Sequence, residues 1–351
     1  MKGRGTSENP KNRFEELAYD PHNTDLVAID ELDPPHPTKT QFFKDTSKSL
    51  LTSNDSPDVG FTYSLNAYRG CEHGCIYCYA RPYHEYLGLS AGVDFESKIF
   101  IKENAAELLR AELCKPSWVP EPIGMSGVTD CYQPAERHFR LTRSCLEVLL
   151  EFGNPAFIIT KNHLILRDKD LLSEMAKKNL IQVVMSVTTL DSKLARVLEP
   201  RTSHPRARLK AIELLSQAGV PVSVNMAPII PGLTDHEIPD VLKACREQGA
   251  TGANYTIVRL PYGVKDLFSA WLEENFPDRK GKVLARIQSM RGGKLNVSEF
   301  HSRMTGEGIF AEQIKKVFAL WKKKLGYQKG SDLSTAHFKR PHDRSGQMDL
   351  F

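Results

Sequence analysis

The sequence predicts an α/β fold, a complete or partial (β/α) barrel, and three observations predict it. Short apolar runs alternate with amphipathic stretches from Tyr63 to Val258, the amphipathic stretches end on helix-stop signals, and the strand ends carry polar or bent sequence. Strands alternating with helices imply βαβ units and a parallel sheet. Six or seven such units across 61–258 suit one barrel core better than two separate domains. In order along the chain, residues 1–60 are rich in Pro, Asn, Asp and Thr without apolar periodicity, and read as an irregular arm wrapping the core with its extreme end disordered. Strands are expected at 62–67, 98–101, 123–126, 156–160, 181–187, 220–226 and 255–258, from β-branched and apolar runs bounded by turn residues. Helices are expected at 104–114, 136–152, 169–178, 204–218 and 237–248, with Gly219 and Gly249 as stops. A helical extension follows over 259–325, with a helix at 311–324, and 326–351 is polar and basic, hence a flexible tail.

Composition bounds the function. With 351 residues, 40% hydrophobic and 26% charged, the chain has the make-up of a soluble globular protein. It has no apolar run of about 18 residues, which argues against a membrane span. The opening Met1-Lys2-Gly3-Arg4-Gly5 leads into polar sequence without a signal-peptide apolar region, so a cytoplasmic, reducing location is expected. A net charge of +4 permits a nucleic-acid partner without demanding one.

The strongest signal is Cys71-Glu-His-Gly-Cys75-Ile-Tyr-Cys78. Three of the seven cysteines crowd into one polar loop after a strand, spaced to converge on a metal centre. Zinc would need four ligands and would recruit His73. An iron–sulfur cube on three thiolates leaves one iron open for a ligand. Zinc sites usually pair two C-x-x-C-like motifs, and no second pair is present, so the spacing favours the cluster.

The CxxxCxΦC pattern, with Tyr77 as its aromatic residue, resembles the signature of the radical S-adenosylmethionine (SAM) superfamily. The resemblance implies a [4Fe–4S] cluster on Cys71, Cys75 and Cys78 whose open iron chelates SAM, reductive cleavage of SAM to a 5′-deoxyadenosyl radical, and a one-electron reductant such as flavodoxin or ferredoxin. Cys75-Ile-Tyr77-Cys78-Tyr79 is similar to the loop of the spore-photolyase-like group. Arg81-Pro-Tyr-His84-Glu-Tyr86-Leu-Gly88, Thr129-Asp130-Cys-Tyr132-Gln-Pro134-Ala-Glu136 and Glu199-Pro200-Arg201-Thr202 extend that likeness over 66–235. It implies that Tyr77 lies along the adenine and that Lys161 and Ser186 reach the cofactor's carboxylate and ribose. It further implies that Met226 and Ala227 bound the adenine, that Arg201 pairs with the carboxylate, and that Asp130 or Glu136, clustered with Thr129, holds the methionyl amine. Plainer readings of the same residues are helix caps and first-turn acids for Thr129, Asp130, Glu136 and Ser186, and a solvated helix face for Arg206, Arg208 and Lys210. Tyr77 and Tyr79 match the hydrogen-relay tyrosines of spore photolyase. The position of its donor cysteine is taken by Gly127-Val128, and Cys131 stands just after Asp130, either as a relocated donor or as a small core residue.

The segment Gln347-Met348-Asp349-Leu350-Phe351 resembles the peptide by which bacterial repair and replication proteins dock on the sliding clamp. Gln347 would supply a backbone contact and Leu350 and Phe351 the apolar plugs, with Lys322–Lys324, Lys329, Lys339, Arg340 and Arg344 available to phosphates. The leading expectation is a radical enzyme acting on damaged or modified DNA in a lyase-like repair reaction. The alternatives are radical modification of RNA, a protein or a small metabolite, and a non-catalytic iron–sulfur or zinc module recruited to the clamp.

Overall fold

The computed structural model describes residues 3–14, 39–330 and 332–341. Two strands lie inside the stretch expected to be irregular: β1 (Gln41–Lys44) and β2 (Leu51–Ser53). Phe42 and Phe43 anchor β1 by burial, and the Phe43 ring stacks on Phe100 with centroids 5.2 Å apart. So short a strand owes its existence to a partner nearly sixty residues away, which local periodicity cannot reveal. The strand expected at 62–67 is two elements, β3 (Tyr63–Leu65) and β4 (Tyr68–Arg69). Asn66 makes the corner between them, its Oδ1 accepting the N–H groups of Gly127 and Val128 at 3.0 Å each.

The remaining strands are β5 (Lys98–Ile101), β6 (Ile123–Met125), β7 (Ala156–Thr160), β8 (Ile181–Ser186), β9 (Val222–Ile229) and β10 (Gly252–Ile257). The main sheet runs β10-β9-β8-β7-β6-β3-β2, with every neighbouring pair parallel except β2 with β3. Successive parallel strands thus sit side by side, and the order ends at β10 and β2 without joining them: a partial (β/α) barrel. β5 is not one of its staves, because it pairs with β1 and β4 in a separate three-stranded sheet.

Helices α1 (Val93–Ser97), α2 (Ala105–Cys114), α3 (Glu136–Phe139), α4 (Leu141–Phe152), α5 (Lys169–Lys177), α6 (Ser192–Leu198), α7 (Pro205–Gln217) and α8 (Ile238–Glu247) occupy the crossovers. The extension holds α9 (Val264–Asn275), α10 (Pro277–Ser289), α11 (Ser302–Thr305) and α12 (Gly308–Lys324). The longer crossover helices bury an apolar stripe, as in α8, where Ile238, Val241, Leu242 and Cys245 are buried at helical spacing. The single helix expected at 136–152 is broken at Arg140, whose φ of 52° is left-handed.

Residues 327–330 and 332–341 are docked, not free as the tail reading held. Tyr327 is buried with its hydroxyl donating to the Leu242 carbonyl at 2.7 Å, and the Lys339 N–H donates to the Phe152 carbonyl at 2.8 Å. Arg340 donates to the carbonyls of Lys115 and Trp118, which removes it from the expected phosphate contacts. The clamp-like residues Gln347, Leu350 and Phe351 lie outside the described residues. Among the described residues, no helix is long and apolar enough to cross a membrane.

Candidate functional site

The polar loops at the C-terminal ends of the parallel strands meet at one mouth, where such barrels carry their chemistry. The cysteine loop leaves β4 through Gly70 and turns back on itself. The Cys71 N–H donates to the Phe95 carbonyl at 2.9 Å, Gly74 to Cys71 at 3.3 Å, and Cys78 to Cys75 at 3.2 Å. Arg81, which no solvent reaches, templates the turn. Its Nε donates to the Cys75 carbonyl at 3.0 Å, Nη2 to the Gly74 carbonyl at 3.1 Å and to Glu96 Oε1 at 2.6 Å, and Nη1 to the Ala91 and Gly92 carbonyls.

Cys71 and Cys75 are buried and Cys78 is half-buried, and none is in a disulfide. Burial pushes the Cys71 thiol up to about 12, the Cys75 thiol well above its usual value, and the Cys78 thiol upward. The Lys161 ammonium opposes the shift at Cys75 and Cys78. Three desolvated thiols sharing one loop are a donor set that becomes anionic only with a cationic centre among them, as iron–sulfur ligation provides. In the zinc alternative His73 would be the fourth ligand, and both of its ring nitrogens already face protein groups. His73 is buried with Nδ1 3.4 Å from Asp130 Oδ2 and Nε2 3.2 Å from the Asn162 amide, and burial pushes its pKa down to about 4, leaving it neutral. Among the described residues, no three His, Cys, Asp or Glu side chains converge as ligands of a single ion. A cube asks less, since each cysteine meets a separate iron.

The loop from Glu199 to Thr202 forms the facing wall, with Ile76 N–H donating to the Leu198 carbonyl at 3.2 Å and Arg201 N–H to the His73 carbonyl at 3.2 Å. Glu199 is buried among the Tyr77 hydroxyl, the Arg208 guanidinium and the Thr188 hydroxyl, which lies at 2.6 Å. Burial alone would raise its pKa, but Arg208 and Lys161 bring it down to about 2, so it is a carboxylate. Arg208 is therefore not on a solvated face, since its partners Glu199, Ser186 O and Ser203 O draw it inside, while Arg206 and Lys210 are exposed.

The expected cofactor residues divide into two groups. Tyr77, Lys161, Ser186, Met226 and Ala227 stand together: the Lys161 ammonium lies 5.9 Å from the Tyr77 ring centroid and donates to the Ala227 carbonyl at 3.1 Å. Ser186 ends β8 level with Asn225 of β9. Thr129, Asp130, Glu136 and Arg201 are instead occupied by the protein. The Thr129 hydroxyl donates to the Gly70 carbonyl at 2.7 Å. Asp130 accepts from Thr160 Oγ1 and Lys161 N at 2.8 Å each. Arg201 donates to Glu72 Oε1 at 2.8 Å. Glu136 is buried outside the mouth, paired with Arg167 at 2.6 Å and with the Thr142 N–H at 3.0 Å, so it braces α3 against α4 and the Arg167 turn. Cys131 is in the apolar core beside Ser126, its thiol pushed well up by burial. Two residues to which the sequence reading gave no role stand out: Arg81, whose partners are four backbone carbonyls and Glu96, and Asn225, whose buried Oδ1 meets no partner among the described residues.

Outside the cysteines an aromatic rim surrounds the mouth. Tyr79, next to Cys78, is exposed, with its hydroxyl on the Gly127 carbonyl at 2.6 Å and the Arg259 guanidinium 5.6 Å from its ring centroid. Tyr83 and Tyr86 are 6.3 Å apart, Phe14 lies 4.9 Å from Tyr86, and Arg13 spans Phe14 and Tyr262 at 4.4 and 3.8 Å.

Comparison with known proteins comes to the same loop. The family model of the radical SAM superfamily matches residues 65–245. An uncharacterized protein of Mycobacterium tuberculosis is 37% identical over 220 residues, which are 62% of this chain and 65% of that relative's length. A radical SAM Nα-GlyT isomerase of Pseudomonas phage M6 is 24% identical over 249 residues, 70% of this chain and 47% of that protein. Spore photoproduct lyase complexed with dinucleoside spore photoproduct superposes with a TM-score of 0.59 at 13% identity, over 81% of this chain and 79% of that one, a likeness of fold.

Proposed function

The chain belongs to the radical SAM superfamily, and we propose that it is of the spore-photolyase-like group, holds a [4Fe–4S] cluster on Cys71, Cys75 and Cys78 and acts with SAM on a nucleobase of DNA. The bound cluster and SAM supply the one-electron reductive cleavage and the hydrogen-abstracting radical. The chain's own residues position and enclose them. Arg81 holds the loop carbonyls inward, the Lys161 ammonium favours the thiolate forms of Cys75 and Cys78, and the Tyr77 ring and the Ser186–Asn225 row offer the adenosine moiety a flat surface and polar contacts.

The observation that carries the nucleic-acid reading is the rim. Exposed aromatic rings interleaved with arginines, leading to a shielded mouth, are what an unstacked base needs: flat partners for its face and cations for the phosphates beside it. The lyase of similar fold, solved with its dinucleoside photoproduct, and the similar phage isomerase add support. Tyr79, exposed beside Cys78, is the candidate for a hydrogen relay, whereas Cys131, packed in the core, is the weaker candidate donor.

The test is 5′-deoxyadenosine release by anaerobically reconstituted, dithionite-reduced protein, with Cys75→Ala as control, followed by mass analysis of DNA, RNA and peptide substrates. Release abolished by the substitution, with a mass change confined to DNA, is expected. Release with RNA or peptide products would move the substrate, and a full cluster that never yields 5′-deoxyadenosine with any of them would leave a binding module. Docking of Gln347, Leu350 and Phe351 on a sliding clamp is proposed alongside, and Leu350→Ala with Phe351→Ala should abolish clamp binding in a pull-down of purified proteins.

A further inference from the structure

The extreme end of the arm, expected to be disordered, is packed onto the cysteine loop. Gly3 N–H donates to the Thr6 carbonyl at 2.8 Å, making a tight turn, and Gly5 and Thr6 are buried. The backbone N–H groups of Arg4 and Gly5 donate to Glu96 Oε2 at 2.7 and 2.9 Å. The Arg4 side chain is 3% exposed; its guanidinium bonds the Glu96 carbonyl and Thr40 and lies 3.9 Å from Glu72 Oε1. Glu72 follows Cys71, and Glu96 Oε1 holds Arg81, which in turn holds the carbonyls of Gly74 and Cys75. The approach is as close as backbone allows. A Cβ on Gly5 would stand 1.7 Å from the Gly74 carbonyl oxygen, and one on Gly74 would stand 3.0 Å from Arg4 Cβ.

Residues 3–6 therefore touch the loop at Glu72 and Gly74, between Cys71 and Cys75. We propose that this segment is a clamp for the cysteine loop, with Arg4 and Gly5 as positioning residues that fix its geometry and keep water, oxygen and chelators from the cluster. Two features make a clamp rather than mere surface packing. Gly5 is required by space and Gly74 by its left-handed φ of 65°, and the buried Glu96 carboxylate serves the clamp with one oxygen and the loop's template Arg81 with the other. Opening the segment would leave that carboxylate half-satisfied and the Gly74 turn exposed. The inference rests on the cluster assignment made above.

The experiment uses the full chain with its reconstituted cluster. Iron release to a ferrous chelator and loss of visible absorbance in air are followed for wild type, Gly5→Ala, Arg4→Ala and Arg4→Lys, with Gly60→Ala, which has open space around it, as control. Loss about 10- to 100-fold faster in Gly5→Ala and Arg4→Ala, with an intermediate rate in Arg4→Lys and no change in Gly60→Ala, is expected from breaking the support behind a metal ligand loop. Equal rates in all of them overturn the clamp. Arg4→Ala inserts no atoms, so it keeps the test open if Gly5→Ala misfolds, and circular dichroism reports which case holds. If no variant takes up iron, the cluster assignment fails instead. Amide hydrogen exchange over 71–78 in the unloaded chain then decides the clamp: faster exchange in Arg4→Ala supports it, and identical exchange overturns it.

Discussion

Arg81 shows how much of a site one side chain can organise. A guanidinium has five N–H donors and cannot lose its charge, so burying it is tolerable only where five acceptors wait. Arg81 meets them in the carbonyls of Gly74, Cys75, Ala91 and Gly92 and in Glu96. Replacing it by Met strands the Glu96 charge and four carbonyls, and should cost about 3–5 kcal/mol in urea unfolding of the unloaded chain. Glu199 makes the matching case on the other wall. Its pKa of about 2 lies below the ordinary carboxylate value, so its contribution is complete above about pH 4.5 and fades as pH falls toward 2. Glu199→Gln should therefore lose about 3–5 kcal/mol at pH 7, and the gap from wild type should narrow on acidification through that window. The cysteines were legible in the sequence because their spacing is their chemistry. Arg81 and Glu199 each open a motif of the family likeness, but their roles were not legible, because an arginine bonded to carbonyls and an acid bonded to a distant tyrosine leave no local pattern of their own.

At the level of elements, what sequence could show was whatever is decided locally. The crossover helices stop where Gly219 and Gly249 permit left-handed backbone, at φ of 77° and 99°. These two stops make a controlled pair. Around Gly219 there is no atom within 4 Å of an added Cβ, so Gly219→Ala should cost only the left-handed strain, about 1–2 kcal/mol. At Gly249 the same Cβ would also lie 2.4 Å from Ser216 Oγ, so Gly249→Ala should cost more, and thermal melts of the two compare them directly. Arg140 holds a similar φ of 52° with an exposed side chain, which makes Arg140→Gly a candidate for a gain of about 1 kcal/mol. Elements fixed by distant partners were the ones that sequence hid. β1 needs β5, β4 leaves the barrel to join them, and Tyr327 and Phe338 dock onto surfaces that only the folded chain presents.

Across the whole molecule, the alternation of strand and helix carried the barrel, because every crossover obeys the same chirality and every buried strand needs cover on its outer face. The rim did not follow from that alternation. Phe14 comes from the arm, Tyr79, Tyr83 and Tyr86 from the cysteine loop and the turn after it, and Arg259 and Tyr262 from beyond the last strand, so only the closed fold assembles them. Its charge balance predicts how it would bind the DNA proposed as substrate. Arg13 and Arg303 already face Glu85 and Asp58 at 2.7 and 2.5 Å, whereas Arg259 hydrogen-bonds no carboxylate among the described residues, only the Met304 sulfur at 3.6 Å. Affinity for single-stranded DNA should therefore come mainly from stacking, with about one phosphate contact and a salt dependence of slope about −1 on logarithmic axes. Tyr83→Ala and Tyr86→Ala should each weaken binding by about 1–3 kcal/mol with that slope unchanged. Arg259→Gln should flatten the slope, because it removes a charge and leaves the rings. Fluorescence anisotropy with a labelled oligonucleotide over a salt series separates the two effects. Tyrosine variants that bind like wild type would leave the rings without a role in recognition, whatever the cysteine loop does behind them.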